Sequence, residues 1–147
     1  MIRKATYRDL EACVQLAVGI FKTFLEKHGV PVIEQDITNI AIRSISNGQI
    51  LVVDRDGVKG LTAWEIIPHP ANHNLKIFYE IIWCVKSDVK TDALMLLRAL
   101  EKQAILANVD LMCMATLSDK HETQLNRIFN KQGFNFIEAH YAKRIGE

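Results

Sequence analysis

The segment Tyr79–Leu97, YEIIWCVKSDVKTDALMLL, sets one carboxylate, Glu80, inside an apolar run and follows it with a polar, glycine-free turn. A carboxyl group among apolar neighbours has its ionised form disfavoured and its pKa raised. Beside a cleft, such a group suits a general base working near neutral pH. The same pattern also fits a glutamate tied into an ion pair or hydrogen bond, or one near the open end of a strand. Strand alternation predicts Phe78, Glu80, Ile82 and Cys84 on one face, and Ile77, Tyr79, Ile81, Trp83 and Val85 on the other. Both faces are apolar, which predicts a central strand covered on both sides.

The polar turn, VKSDVKTDA, lies between that strand and a leucine-rich helix. In mixed sheets ligands favour the crevice beyond the C-terminal ends of parallel strands. The first turn of the following helix offers unpaired N–H groups and the positive end of a dipole, which together suit a phosphate. The competing reading is that Asp88, Thr91 or Asp92 simply caps the helix.

Other reactive residues form no comparable constellation. His69, His73, His121 and His140 match no common zinc spacing, so no metal is expected. Cys84 has no basic neighbour in sequence to activate it and reads as a packed thiol. Asp119 and Glu122 read as a capping box for the last helix. Trp64 and Trp83 read as core, and neither a Ser-His-Asp signature nor a phosphate-loop glycine pattern is present.

The elements that must position Glu80 are legible along the chain. Residues 2–5 read as a strand, and Thr6 with Asp9 as the start of a helix. Leu10, Cys13, Val14, Ala17, Phe21, Phe24 and Leu25 continue it at helical spacing until Gly29. A second helix is predicted over 34–46. A hairpin turning on Asp56-Gly57 follows, then a loop over 68–74, where two prolines oppose regular structure. A strand over 75–85, a helix over 91–107, a buried strand over 109–117, a short helix stopped by Gly133 and a closing strand, FNFIEAHYAKRI, complete the order. This β-α-α-β-β-β-α-β-α-β order predicts an α/β (α+β) fold: a mixed sheet with helices on both faces. Residues 1–147 read as a single domain without linker or repeat.

Composition narrows the function classes. The 147 residues are 49% apolar and 24% charged, with a net charge of +1. That balance provides no basic stripe for nucleic acid and no field for an anionic membrane. No apolar run reaches membrane-spanning length, and the N-terminus lacks the apolar segment of a signal peptide. Three cysteines, Cys13, Cys84 and Cys113, without a CxxC pair point to reduced thiols and a cytoplasmic location.

The element order and local sequences together resemble the GCN5-related N-acetyltransferase (GNAT) superfamily over nearly the whole chain. EIIWCVKS resembles the family's central strand, and Glu80 falls where histone-type members carry a general base. RIFNKQGF resembles its late helix, with Phe129, Gly133 and Phe134. GLTAWEIIPHPANHNLKIFYEIIWCV and GFNFIEAHYAKRI resemble the small acetyltransferase-like proteins of tailed bacteriophages, which would place the protein in host cytoplasm.

The resemblance implies acetyl-CoA as cosubstrate and an amine acceptor, a small molecule or a protein, and it leaves a homodimer open. It implies that strand 80–85 splays from 109–116, with the pantetheine arm pairing near Cys84, Val85 and Lys86. The pyrophosphate would rest on Lys90, Thr91, Asp92 and Ala93. Two departures stand out. The pyrophosphate turn lacks the family's glycines and carries Asp92, a like charge. Phe129 also stands where many members have the tyrosine that protonates the leaving thiolate, a role left to Tyr141 or water. Direct acetyl transfer is the first expectation, and a catalytically silent binding or virion-associated module is its rival.

Overall fold

The computed structural model describes residues 1–116 and 121–146. They form two compact units, Met1–Cys113 and Met114–Glu147. In the first, β1 (Ile2–Lys4) leads through a 3-10 turn (Tyr7–Asp9) into α1 (Leu10–Glu26) and α2 (Glu34–Ser46). Then come β2 (Ile50–Asp54), β3 (Val58–His69), β4 (Asn72–Val85), α3 (Asp92–Leu106) and β5 (Leu111–Cys113). The second unit contains α4 (Glu122–Lys131).

The sheet runs β1-β2-β3-β4-β5. The first three pairings are antiparallel, and β4 and β5 are parallel, joined through α3. This is the predicted mixed sheet with its parallel step. Hydrophobic spacing explains the helices: Cys13, Val14 and Ala17 of α1 and Ile37, Ala41 and Ile45 of α2 are buried against Ile50, Val52, Leu61, Ala63 and Ile82. The opposite face buries Leu51, Val53, Trp64 and Phe78, and α3 covers it with Leu96, Leu97 and Leu100. Helices therefore cover both faces, as expected.

Three expectations are corrected. Residues 68–74 are not an open loop, because β3 and β4 extend through them and pair His69 with Asn72. Pro68 is tolerated because β2 ends at the Ile50–Ala63 pair, so the outer edge of β3 beyond it has no ladder to complete, and Pro70 sits in the two-residue turn with Ala71. His69 Nδ1 accepts from the Ala71 N–H and Asn72 Oδ1 from the Asn74 N–H, closing the tip. The closing strand over 134–145 does not form: among the described residues its unit has no second strand to supply ladder partners. Phe136, Ile137, Tyr141 and Ile145 are exposed there. Without that strand β4 is next to the edge and β3 is central. The predicted strand over 109–117 is reduced to Leu111–Cys113, with Leu111 half exposed. Asp119 of the predicted capping box lies outside the described residues.

Thr62, in the middle of β3, is fully buried, and its Oγ1 has no hydrogen-bond partner among the described residues. A buried hydroxyl without a partner loses its hydration uncompensated. Thr62→Val keeps the shape and should raise stability by roughly 1 kcal/mol in urea unfolding. A loss of stability would show that the hydroxyl is satisfied.

Candidate active site

The ladder between β3 and β4 is irregular at one place. Ala63 pairs with Ile82 and Trp64 pairs with Glu80, so Ile81 is one extra residue, a β-bulge. The bulge resets the alternation. Ile81 and Ile82 both line a cavity of ≈ 30 Å³ against α1 and α2, with Cys13, Ala17 and Ile37. Glu80 lies on the other face, with its cross-strand partner Trp64 and with Phe78, whose rings stack at 5.1 Å. The expected grouping of Glu80 with Ile82 and Cys84 is therefore corrected: an inserted residue reverses every face after it. Glu80 is buried, 8% exposed.

The pairing of β4 with β5 is short. Ile77, Phe78 and Tyr79 pair with Leu111, Met112 and Cys113, and the ladder then ends. From Glu80 to Val85 the β5-side edge of β4 carries no strand among the described residues. Glu80 is thus the first residue past the ladder, and Cys84, Val85 and Lys86 follow further along β4 and its end. The chain then turns through a 3-10 segment, Ser87–Val89, and enters α3 at Asp92. No side chain caps α3. Asp88 is drawn to Lys59 (3.3 Å) and Asp92 to Arg55 (2.8 Å), so the capping alternative does not hold. Glu80, 84–86 and 90–93 therefore follow one another along a single strand edge and helix start.

Solved structures share this architecture. A predicted acetyltransferase from Clostridium acetobutylicum, with acetyl-CoA, superposes with a TM-score of 0.68 at 18% identity, over 99% of this chain and 96% of that one. An aminoglycoside acetyltransferase from an uncultured soil metagenomic sample gives 0.68 at 10% identity, over 99% and 98%. A ribosomal-protein-alanine N-acetyltransferase from Brucella melitensis biovar Abortus 2308 gives 0.65 at 15% identity, over 99% of each chain. The chain has the GNAT acetyltransferase fold. No protein-family model matches the sequence, and no curated protein matches it.

Within this GNAT fold, two residues that sequence reasoning missed shape the start of α3 and the strand before it. Arg55, in the β2–β3 turn, grips the Asp92 carboxylate with Nε (3.0 Å) and Nη2 (2.8 Å). That pairing holds the Asp92 carboxyl below its ordinary range. Asp92 is 3% exposed, so its charge is buried and matched. Gly60 faces Val85, and a Cβ there would lie 2.9 Å from the Cys84 carbonyl oxygen and 3.2 Å from the Val85 Cα. Glycine is the residue that lets β3 approach the 84–85 backbone so closely. Gly60→Ala should displace that backbone and cost roughly 1–2 kcal/mol in denaturant unfolding. A variant as stable as the parent would show that the strands accommodate the methyl group. The signal for Gly60 was a lone glycine inside a strand pattern, and Arg55 had none.

The remaining candidates are placed as follows. Burial pushes the Cys84 thiol up to about 11, and a Leu61 backbone hydrogen bond only partly offsets this. Cys84 is therefore a protonated thiol at neutral pH. Phe129 and Tyr141 belong to the C-terminal unit. Phe129 is buried on α4 with its ring 5.4 Å from that of Phe134. Tyr141 is 96% exposed on a segment without regular structure. The three cysteines are free, and among the described residues no cluster of His, Cys, Asp and Glu could hold a metal ion. No helix among them is long and apolar enough to cross a membrane.

Proposed function

We propose that the protein is a single-domain, cytoplasmic N-acetyltransferase that moves acetyl from acetyl-CoA directly to an amine. The observation that carries this reading is the end of the β4–β5 ladder at a buried glutamate. Beyond it β4 runs on without β5 and leads into a helix start that no side chain caps. The backbone at 84–86, beyond the ladder, offers N–H and C=O groups that an extended amide-bearing arm such as pantetheine can pair with. The helix start suits the pyrophosphate. The acetyl-CoA in the Clostridium acetobutylicum structure supports the same ligand here.

In the proposed reaction Glu80 takes a proton from the incoming ammonium, directly or through a water. The amine nitrogen then attacks the thioester carbonyl, while a backbone N–H near Val85 polarises its oxygen. The C–N bond forms, the C–S bond breaks, and the thiolate leaves to be protonated by water. The high pKa of Cys84 disfavours an acetyl-cysteine intermediate and supports direct transfer. The neighbours include one enzyme named for an aminoglycoside and one for a ribosomal-protein alanine, which supports both a small molecule and a protein as acceptor classes.

Acetyl-CoA should raise the melting temperature. At one hundred times its dissociation constant the gain is roughly 2.7 kcal/mol. No shift at millimolar acetyl-CoA would favour a second reading, a catalytically silent module of bacteriophage type. Phe129 supports that alternative, since it is buried against Phe134 and has no hydroxyl to protonate a thiolate.

A further inference from the structure

Asp92 is the first residue of α3, where the proposed coenzyme site needs positive potential and where a free carboxylate would repel an anion. The structure answers that conflict from a distant part of the sequence. Arg55 spans the gap from the β2–β3 turn and spends two of its three nitrogens, Nε and Nη2, on the buried carboxylate. Its side chain is nevertheless 52% exposed, and Nη1 donates to no group among the described residues. The turn that carries Arg55 is itself fixed. Asp56 and Gly57 take positive φ values of 54° and 115°, Asp54 Oδ1 accepts from the Gly57 N–H, and the Arg55 N–H donates to the Gly57 carbonyl. Lys59, just after the turn, is tied in as well, because its carbonyl accepts from the Lys86 N–H at 2.8 Å. The guanidinium is therefore held in place by a rigid turn on one side and a bidentate carboxylate on the other.

Resting on the coenzyme reading above, we infer that Arg55 is a positioning residue for the coenzyme's pyrophosphate: it neutralises Asp92 and presents Nη1 to a phosphate oxygen. A planar guanidinium can bind a carboxylate and a phosphate along different edges at once, which an ammonium cannot. This arrangement offers an anion a side-chain donor at a turn that lacks glycine and so restricts close backbone approach. It also assigns Asp92 a purpose, since the buried carboxylate orients the guanidinium instead of opposing the ligand.

Two variants without a buried unpaired charge make the test clean: Asp92→Asn, and Arg55→Ala combined with Asp92→Asn. Each is titrated calorimetrically with acetyl-CoA, and its activity is followed with S-acetylpantetheine, a thioester that lacks the pyrophosphate. Asp92→Asn, which keeps the guanidinium of Arg55 and leaves no buried charge, is the reference for the double variant. The double variant should bind acetyl-CoA about tenfold more weakly than Asp92→Asn, the usual worth of a hydrogen bond to a charged group. The two should use S-acetylpantetheine equally well. Equal acetyl-CoA affinity in the two variants, or equal losses with both thioesters, would overturn the inference while leaving the coenzyme reading intact. A parent protein that does not bind acetyl-CoA at millimolar concentration would overturn the coenzyme reading first, and this inference with it.

Discussion

Replacing Glu80 by glutamine should lower the rate of acetyl transfer by roughly 10²–10⁴, the usual worth of general-base catalysis. Glutamine keeps the shape and removes proton acceptance. The affinity for acetyl-CoA should be nearly unchanged, because the proposed contacts of the coenzyme lie further on, at 84–86 and 90–93. The loss should shrink as pH rises, since more of the amine then arrives already neutral. Packing of Glu80 beside Trp64 and Phe78 is also compatible with a purely structural role. That role predicts a different result: the variant loses stability or nothing, and its pH–rate profile runs parallel to the parent's. Recording both profiles with one accepted amine, alongside melting curves, separates the two. Parallel profiles would remove Glu80 from the mechanism.

What could be read from the sequence follows the range of the interactions involved. The helix over 34–46 and the hairpin on Asp56-Gly57 rest on local periodicity and turn chemistry, and both form as expected. The Thr6–Asp9 pairing is local too, with the Thr6 N–H and Oγ1 donating to the Asp9 carboxylate. The parallel step between β4 and β5 followed from a strand–helix–strand pattern, since a helical crossover of that length joins parallel neighbours. Long-range features left no such trace. The bulge at Ile81 depends on register against β3, so no pattern within residues 77–85 could reveal that Glu80 and Ile82 face opposite ways. The pairing of Arg55 with Asp92 joins residues 37 apart. The segment 134–145 has strand-like composition, yet a strand is a property of two partners and its unit provides one. In the same way a proline breaks structure only where a backbone N–H is needed, and neither the outer edge of β3 at Pro68 nor the turn at Pro70 needs one.

A charge network at the start of the chain should carry the largest single-residue effect on stability. Arg3 donates to Asp9 through Nη1 (2.8 Å) and Nη2 (2.9 Å), and to Asp54 through Nε (2.9 Å) and Nη2 (2.7 Å). Asp9 is 8% exposed, so removal of Arg3 leaves a buried carboxylate with only its Thr6 donors. Arg3→Ala should therefore cost roughly 3 kcal/mol at neutral pH, the scale for breaking a buried pair at one end. The hydrogen bonds from Arg3 hold the Asp9 carboxyl well below the usual carboxylate range, against the effect of burial, and they lower Asp54 as well. A folded-state pKa below the unfolded one contributes stability at pH values above about 3.9, and that contribution is lost as pH falls towards the folded value. The gap between parent and variant should accordingly be constant from pH 8 to about 5 and narrow below about pH 4. Urea unfolding at pH 7, 5, 4 and 3 measures it. A gap that stays constant to pH 3 would assign the loss to the packing of the arginine stem, and no gap at pH 7 would show that water replaces Arg3 without cost.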